Sequence, residues 1–211
     1  MKITLLAVVT ALFSSFIIKP TLNPLVIQQK IIKPNTFDTL ITPFRDKSYK
    51  LRLQIFDLGN YDESKNNAVI TFTHIIKGKT NLIFKTPCYC MNAWVDFKDF
   101  DNDGIKDIAI FHYSGARANP SFYLYLVKPV DKKLIRVKGF EELPNPDLDK
   151  KYNVVTSLAL SGQNDYSFYR INKSHKLINL GHGYTDDPRI DDYLYKRAMK
   201  AIQGKNGKRS N

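Results

Sequence analysis

Cysteine is scarce in this sequence, and its scarcity excludes several kinds of site. The chain has two cysteines, Cys88 and Cys90, separated by a single residue. Two thiols are too few for a tetrahedral zinc site, and their spacing is not the C-x-x-C of a thiol redox motif. Because neither thiol lies near the N-terminus, the sequence also argues against a lipid-anchored lipoprotein.

The pairing of Cys88 and Cys90 has two readings. In an oxidising compartment two thiols usually join, but a bridge across one residue closes a very small ring with little freedom. A strained disulfide and a pair of buried thiols therefore both fit the sequence.

Long hydrophobic runs are absent except at the N-terminus. Residues 1–18, MKITLLAVVTALFSSFII, place Lys2 before an apolar stretch that is shorter than the ~20 residues of a membrane-spanning helix. This pattern is typical of an export signal; a buried N-terminal strand or helix, or an uncleaved anchor, is the alternative. We therefore expect a periplasmic or secreted protein without a transmembrane anchor in the mature chain.

Acidic residues are in the minority. The chain has 32 lysines and arginines against 20 aspartates and glutamates, a formal charge of +12. Such a charge usually suggests nucleic acid, but an exported chain without a nucleic-acid motif does not fit that partner. The lysines are scattered over predicted turns, which indicates a solvated basic surface compatible with anionic envelope polymers.

Methionine is rare while tyrosine and phenylalanine are plentiful, which favours β-structure. From residue 49 onward, short apolar or alternating runs are separated by turns rich in Gly, Asn, Asp and Pro. They predict an all-β, antiparallel domain, propeller-like or sandwich-like, of about nine short strands. The runs are YKLRLQIFD (49–57), NAVITFTHII (67–76), TNLIFKT (80–86), DIAIFHY (107–113), SFYLYLV (121–127), KLIRVKGF (133–140), NVVTSLAL (153–160), DYSFYRI (165–171) and HKLINLG (175–181).

The rest of the chain divides around this β-domain. A C-terminal helix is indicated by Asp187 as a cap, Pro188 in the first turn and Gly204 as a stop. Its apolar stripe consists of Ile190, Leu194, Met199 and Ile202. We predict a signal peptide over 1–18, an extended N-terminal segment over 19–47, the β-domain over 48–187, the helix over 188–204 and a disordered basic tail over 205–211.

One turn concentrates negative charge in this basic chain. In DFDNDGIKD (99–107) the aspartates stand at positions 1, 3, 5 and 9, with Gly104 at position 6. A chain turning about a hard cation directs alternate carboxylates inward, and the glycine permits the bend that presents the carbonyl of position 7. The pattern predicts a structural Ca²⁺ site; a solvated Asp-Gly turn is the alternative. The predicted ligands are Asp99, Asp101, Asp103 and Asp107 through their side chains and Ile105 through its backbone.

The loop is not an EF-hand. Position 12 would be Ile110, where a bidentate Glu is required, and a strand follows instead of a helix. The order of an acidic loop and then an apolar strand resembles the calcium loops of FG-GAP (integrin-type) propeller blades. That resemblance implies that the metal holds a strand connection in place and has a structural role.

A longer stretch, about residues 94–185, resembles small exported bacterial proteins of the XAC-type lysozyme-inhibitor and immunity family. After the acidic loop come a G-x-x-N…Y-x-Y hairpin and an F…L-x-N-P-x-x-D turn. The matching residues are Gly115, Asn119, Tyr123, Tyr125, Phe140, Leu143, Asn145, Pro146 and Asp149. The resemblance implies a calcium-stabilised, propeller-like β-domain that blocks a peptidoglycan-cleaving enzyme.

Two features depart from that family: the chain lacks a lipoprotein cysteine, and it is strongly basic. Many lysozymes are basic themselves, so a charge of +12 would oppose their approach. Either the target is acidic, or the basic face serves anionic envelope polymers. We therefore expect an inhibitor or immunity protein, with an envelope-associated binding or adhesion module as the alternative.

An inhibitory surface is expected in the loops beside the strands. YSGARANPS (113–121) is the strongest candidate for this surface, and the residues predicted to contact a partner are Ser114, Gly115, Arg117 and Asn119. The alternative is that this segment is an ordinary hairpin loop.

The sequence contains no recognisable set of catalytic residues. His182 in LGHGY is the best-placed histidine for a base, but no G-x-S-x-G context accompanies it. His74 and His112 fall within strand patterns and are interpreted as packed or surface residues. The prediction is that the protein is not an enzyme, with an uncharacterised hydrolase as a third alternative.

Overall fold

The computed structural model describes residues 26–33, 35–59, 61–115, 117–186 and 193–207. It confirms the all-β, antiparallel prediction, with one C-terminal helix. The described residues form fourteen strands rather than about nine. The five strands that were not predicted are β1 (Val26–Lys33), β2 (Thr36–Thr42), β6 (Val95–Lys98), β10 (Asp147–Asp149) and β14 (Tyr184–Asp186).

The first sheet is an antiparallel meander, β1-β2-β3-β4-β5. Its other strands are β3 (Tyr49–Ile55), β4 (Ala68–Ile76) and β5 (Lys79–Cys88). Alternate residues of β3 point into the core, because Leu51, Leu53 and Ile55 are almost fully buried. The predicted lead-in over 19–47 contributes β1 and β2 to this sheet, and Ile41 and Phe44 to its core.

The second sheet is the middle layer of the fold. It runs β6-β7-β8-β9, where β7 is Asp107–Gly115, β8 is Asn119–Lys128 and β9 is Lys133–Val137. On β8, Tyr123 and Tyr125 pack against the first sheet, whereas Leu124 and Leu126 face the third. Because both faces are covered, β8 is apolar along most of its length instead of alternating.

The third sheet is covered by the helix. It contains β10, β11 (Val154–Leu160), β12 (Asn164–Ile171), β13 (Leu177–Asn179) and β14, and both β13 and β14 pair with β12. A short 3₁₀ turn, Phe140–Glu142, connects it to the second sheet. Helix α1 (Tyr193–Gly207) packs Ala198, Met199 and Ile202 against Val154 and Phe168. The order of layers is therefore sheet, sheet, sheet, helix.

The ends of the chain were predicted less well. Helix α1 continues through Gly204, which was expected to stop it, and reaches Gly207 within the segment predicted as a tail. Residues 187–192, which include the predicted cap Asp187 and Ile190 of the predicted stripe, lie outside the described residues, as do the predicted signal peptide and residues 208–211. Across the described part of the chain, no helix combines the length and apolarity needed to cross a bilayer.

Cys88 and Cys90 are unpaired thiols in this structure. Both side chains are buried in the core between the first two sheets, with their Sγ atoms 3.8 Å apart. The buried side chain of Asn67 accepts a hydrogen bond from the Cys90 N–H (2.8 Å) and donates one to the Cys90 carbonyl (3.0 Å). The structure therefore corresponds to the buried-thiol alternative.

Candidate metal site

The acidic loop connects β6 to β7, two adjacent strands of the second sheet. The β6–β7 pairing brings Lys98 opposite Asp107, and the residues between them must reverse direction. Two of these residues, Asn102 (φ 60°) and Gly104 (φ 87°), adopt left-handed backbone conformations. Asparagine and glycine tolerate that region best, so the sequence DNDG is suited to this tight turn.

Asp107 anchors the loop from the first position of β7. Its side chain is fully buried, and its two carboxylate oxygens accept hydrogen bonds from the Phe100 N–H (2.8 Å) and the Val127 N–H (3.1 Å). The first bond holds the start of the loop, and the second ties it to the end of β8. The carboxylate is therefore positioned by the backbone on both sides.

Asp99 and Asp101 point toward Asp107. One potential ligand atom from each of the three carboxylates lies within 4.8 Å of the others. Asp99 accepts a hydrogen bond from the Gly104 N–H (3.1 Å) through Oδ2, and Oδ2 of Asp101 pairs with the Lys128 ammonium. The remaining Oδ1 atoms of Asp99 and Asp101 are buried and have no hydrogen-bond partner among the described residues.

The other two predicted ligands have different contacts. Asp103 Oδ2 accepts from the Lys128 ammonium (2.7 Å), and its Oδ1 accepts from the Ile105 N–H (2.8 Å). The Ile105 side chain packs on the edge of the core between the first two sheets. The structure thus groups Asp99, Asp101 and Asp107, while Asp103 turns toward Lys128.

Lys128 is the residue that sequence reasoning missed. It stands at the end of β8, where β8 runs alongside the start of β7, and its ammonium contacts both Asp101 and Asp103. Burial works to lower the pKa of Lys128, but the hydrogen bonds to the two aspartates outweigh it, so its pKa is raised. The β7–β8 hairpin was the available signal, since its pairing brings position 128 to the acidic loop.

The arrangement is suited to a hard cation. Burial raises the pKa of Asp107 to about 7, opposed by its two backbone hydrogen bonds and reinforced by the charges of Asp101 and Asp103. A divalent cation beside it would favour the ionised form. The donor atoms are all oxygens, which suits Ca²⁺, Mg²⁺ or Mn²⁺. The two buried oxygens without partners fit the ligand positions that such an ion requires.

The candidate partner loop forms the tip of the β7–β8 hairpin. Ser114 and Gly115 pair with Pro120 and Asn119 across the hairpin, and Ala118 has a left-handed backbone (φ 53°). Arg117 is exposed, and its guanidinium lies against Gly162 in the β11–β12 turn. A Cβ at position 162 would come within 2.8 Å of the Arg117 Nη1. Of the four candidate contacts, Arg117 is the one that presents a charged side chain at the surface.

Asn119 has a structural role. Its Oδ1 accepts from the Leu160 N–H (2.9 Å) and from the Asn145 side chain (2.8 Å), and its Nδ2 donates to the Leu160 carbonyl (3.0 Å). Asn145 also donates to the Leu158 carbonyl (2.8 Å). The two asparagines therefore join the hairpin of the second sheet to strand β11 of the third.

The other residues that carry the resemblance are also internal. Tyr123, Tyr125, Phe140 and Leu143 are buried. Asp149 accepts from the Lys151 N–H (2.9 Å) in its own turn, and its other oxygen accepts from the Tyr195 hydroxyl on α1. The motif thus places side chains that hold the layers together.

The histidines occupy separate places. His74 stacks on Tyr49 at 3.9 Å, and His112 is half-buried against Tyr123 with its Nδ1 3.2 Å from the Ser121 hydroxyl. His182 lines a cavity of about 480 Å³ beside α1; the other lining residues are Gly183, Tyr184, Leu194, Arg197, Ala198 and Ala201. Neither serine nor cysteine is among these lining residues, so the cavity offers no nucleophile beside His182.

Comparison of the chain with protein-family models, with curated proteins and with solved structures finds no match. The chain's own residues are therefore the basis for assigning its function.

Proposed function

We propose that this protein is an exported β-domain stabilised by Ca²⁺ in the loop between β6 and β7. The observation that carries the proposal is the convergence of Asp99, Asp101 and Asp107 within 4.8 Å, with two buried carboxylate oxygens that no described residue contacts by a hydrogen bond. Three carboxylates so close together repel one another, and an ion of double positive charge removes that repulsion. Calcium is the preferred ion because the loop offers flexible oxygen ligands on a tight turn.

Calcium binding is tested by isothermal titration of the metal-free protein with Ca²⁺ and, separately, with Mg²⁺. We expect heat of binding with Ca²⁺ that is lost in Asp101→Asn. The matched control is Asp62→Asn, because Asp62 also accepts hydrogen bonds in a short turn, from Ser64, but belongs to the connection between β3 and β4. Equal titration of both variants would contradict the site.

We further propose that the domain acts as an inhibitor of, or immunity protein against, a peptidoglycan-cleaving enzyme. The support is the residue pattern over 94–185, which includes Asn119 and Asn145, the residues that join the second and third sheets. The exposed Arg117 at the tip of the β7–β8 hairpin is the side chain available to enter a sugar-binding cleft. An acidic enzyme would be attracted by the net charge of +12.

Inhibition is tested by adding the protein in molar excess to a panel of muramidases, acidic and basic, acting on cell walls. We expect slower lysis by at least one enzyme, relieved in Arg117→Ala and retained in Arg45→Ala, a change of another exposed arginine. Undiminished lysis across the panel would remove this function and leave calcium binding untouched. Release of glycan fragments by the protein alone would instead identify it as a hydrolase.

A second candidate function, attachment to an anionic envelope surface, is favoured by the β4–β5 hairpin. Residues 75–83 are all exposed and include Ile75, Ile76, Leu82 and Ile83. Its tip is a two-residue turn with left-handed backbone, Lys77-Gly78. No acidic residue occurs between positions 64 and 95, so the hairpin presents aliphatic and basic groups together, the combination that binds anionic lipid surfaces.

Attachment is tested by sedimentation with phosphatidylglycerol vesicles and with phosphatidylcholine vesicles. We expect binding to the anionic vesicles alone, weakened by salt and by the double change Lys77→Glu and Lys79→Glu. The matched control, Lys173→Glu with Lys176→Glu, alters the net charge equally in an exposed turn of the third sheet. Equal loss in both double variants would mean that net charge, and not the hairpin, is responsible.

A further inference from the structure

A groove opens where the edge of the second sheet meets the third sheet. Strand β6 is the outermost strand of its sheet, so one side of β6 faces outward into this groove. Trp94, Asp96 and Lys98 line it at alternate positions, as expected for side chains on one face of an extended segment. The opposite wall is the turn that leads into β10, which contributes Asn145, Pro146 and Asp147.

The floor of the groove is apolar and its rim is polar. Phe100, Ala109, Pro120 and Phe122 form the floor, and the cavity volume is about 240 Å³. Sites for small molecules combine such apolar walls with a few polar groups that fix orientation, and drug-sized ligands fill about 300 Å³ or more. The groove is therefore of a size for a single ring and its substituents.

Trp94 is the most informative residue of the groove. It is the only tryptophan in the chain, and it remains 50% exposed although its ring stacks on Phe111 (5.7 Å) and contacts the edge of Phe122 (5.3 Å). These two contacts hold the indole in one orientation beside the groove. A rigid aromatic surface that is left in water is suited to packing against a ligand with an apolar face.

The polar rim determines the chemistry of that ligand. Asp96 and Asp147 offer carboxylate acceptors, and Lys98, whose ammonium pairs with Asp147, offers donors between them. The rim thus presents both acceptors and donors beside an aromatic wall, with two carboxylates against one ammonium. A pyranose sugar matches this arrangement, because it has an apolar C–H face and hydroxyl groups that both donate and accept.

We propose that this groove binds a neutral or amino-substituted pyranose, with Trp94 packing on the ring face and Asp96, Lys98 and Asp147 bonding its hydroxyl or amino groups. The excess of carboxylates disfavours acidic sugars, since a uronate would approach Asp96 and Asp147 with like charge. The proposal goes beyond the proposed function and does not require inhibition of any enzyme.

The single tryptophan makes the test direct. Intrinsic fluorescence of the full chain reports Trp94 alone, and it is followed while chitotriose, a glucosamine trimer, maltotriose and a galacturonic acid trimer are added separately. We expect a saturable change in intensity or wavelength with at least one of the first three sugars, and a weaker response or none with the acidic trimer. Absence of a saturable change with every sugar, up to tens of millimolar, would overturn the proposal.

Variants separate the groove from indirect effects. By isothermal titration, loss of the aromatic contact in Trp94→Ala is expected to weaken binding about tenfold or more, whereas Tyr61→Ala, a change of an exposed aromatic elsewhere, leaves it unchanged. Asp96→Ala keeps the fluorescent reporter and is expected to reduce the response. Binding that is unaffected in both groove variants would refute the site, with thermal unfolding confirming that each variant is folded.

The effect of Ca²⁺ on sugar binding must be measured separately, because β6 leads directly into the acidic loop. The sugar titration is therefore repeated with excess Ca²⁺ and with chelator. Binding in either condition supports the groove, and binding in neither overturns it. Failure of Ca²⁺ to bind, with sugar binding intact, would overturn the calcium proposal and leave the sugar proposal standing.

Discussion

Replacing Asp99 with asparagine tests the electrostatic origin of the acidic loop. Asparagine keeps an oxygen that accepts the hydrogen bond from Gly104, so the turn is preserved. It removes the negative charge from the buried Oδ1 that has no partner in the described structure. Of the three converging aspartates, Asp99 is therefore the one whose charge can be removed with least loss of protein contacts.

The size of the effect follows from the distances. Ligand atoms of Asp99, Asp101 and Asp107 lie within 4.8 Å of one another, which corresponds to about 3.5 kcal/mol of repulsion for each ionised pair at an effective dielectric constant near 20. The raised pKa of Asp107 and the ion pair of Asp101 with Lys128 relieve part of it. Without metal, Asp99→Asn should thus raise the free energy of unfolding by about 1–3 kcal/mol.

Calcium should reverse the order. An ion present at a thousand times its dissociation constant stabilises the folded state by about 4.1 kcal/mol, a rise of about 8–16 °C in melting temperature for a domain of this size. The wild-type chain should gain this increment, and Asp99→Asn should gain little or none. The variant is therefore expected to melt above the wild type in chelator and below it in calcium.

The assay is thermal unfolding by circular dichroism of both proteins, each with chelator and with millimolar Ca²⁺. Asp62→Asn serves as the control and should respond to Ca²⁺ as the wild type does. If Asp99→Asn melts below the wild type by the same amount in both conditions, the residue has a purely structural role and the electrostatic reasoning is wrong.

Three further predictions concern stability. Asn119→Ala should lower the free energy of unfolding, measured in urea, by about 2–4 kcal/mol, because it removes the hydrogen bonds to Leu160 and to Asn145. Asn119→Asp keeps the oxygen that accepts and should lower it less. Burial lowers the pKa of His112, so the unfolded chain binds its proton more readily, and wild-type stability should fall more than that of His112→Gln as pH drops below about 6.5. Gly183→Ala should destabilise the third sheet, since the added Cβ would lie 2.7 Å from a backbone carbonyl oxygen, whereas Gly204→Ala in the helix, where a Cβ meets nothing within 4 Å, should stabilise by about 0.5–1 kcal/mol.

Each of these has a contradicting result. If Asn119→Ala lowers the free energy of unfolding by less than about 0.5 kcal/mol, the hydrogen bonds of Asn119 are not needed to hold the second and third sheets together. Parallel pH profiles for His112→Gln and the wild type would mean that the histidine titrates alike in the folded and unfolded chains. Equal melting temperatures for the two glycine variants would refute the steric argument.

The strand-rich character of the fold was available from the sequence. Runs such as YKLRLQIFD alternate every second residue, and each of the nine predicted runs overlaps a strand of the structure. The five strands that were missed are short, or carry prolines and polar residues nearby, as β1 and β2 do. Their strand geometry comes from pairing with neighbours rather than from their own composition.

The candidate metal site was also only partly predictable from the sequence. The spacing of aspartates around Gly104 is local, and from it the sequence predicted four carboxylates and the Ile105 carbonyl around one centre. The structure groups three of those carboxylates, Asp99, Asp101 and Asp107. Lys128 is twenty-five residues from Asp103 along the chain, and its role depends on the register of β7 with β8. The sequence indicated both strands of this hairpin, but the register that brings Lys128 to the loop is set by their pairing, which no local pattern records.

The sequence therefore indicated the local features of the protein: alternation that makes strands, and an acidic turn, with Gly104 at its bend, that is suited to a cation. The packing of the three sheets and the helix settles which face of each strand is buried and how Asn119 and Asn145 join the second and third sheets. It also places Trp94 beside a groove that has Asp96 and Asp147 on its two walls. Local conformation depends on neighbours along the chain, whereas burial and clefts depend on which layers pack together.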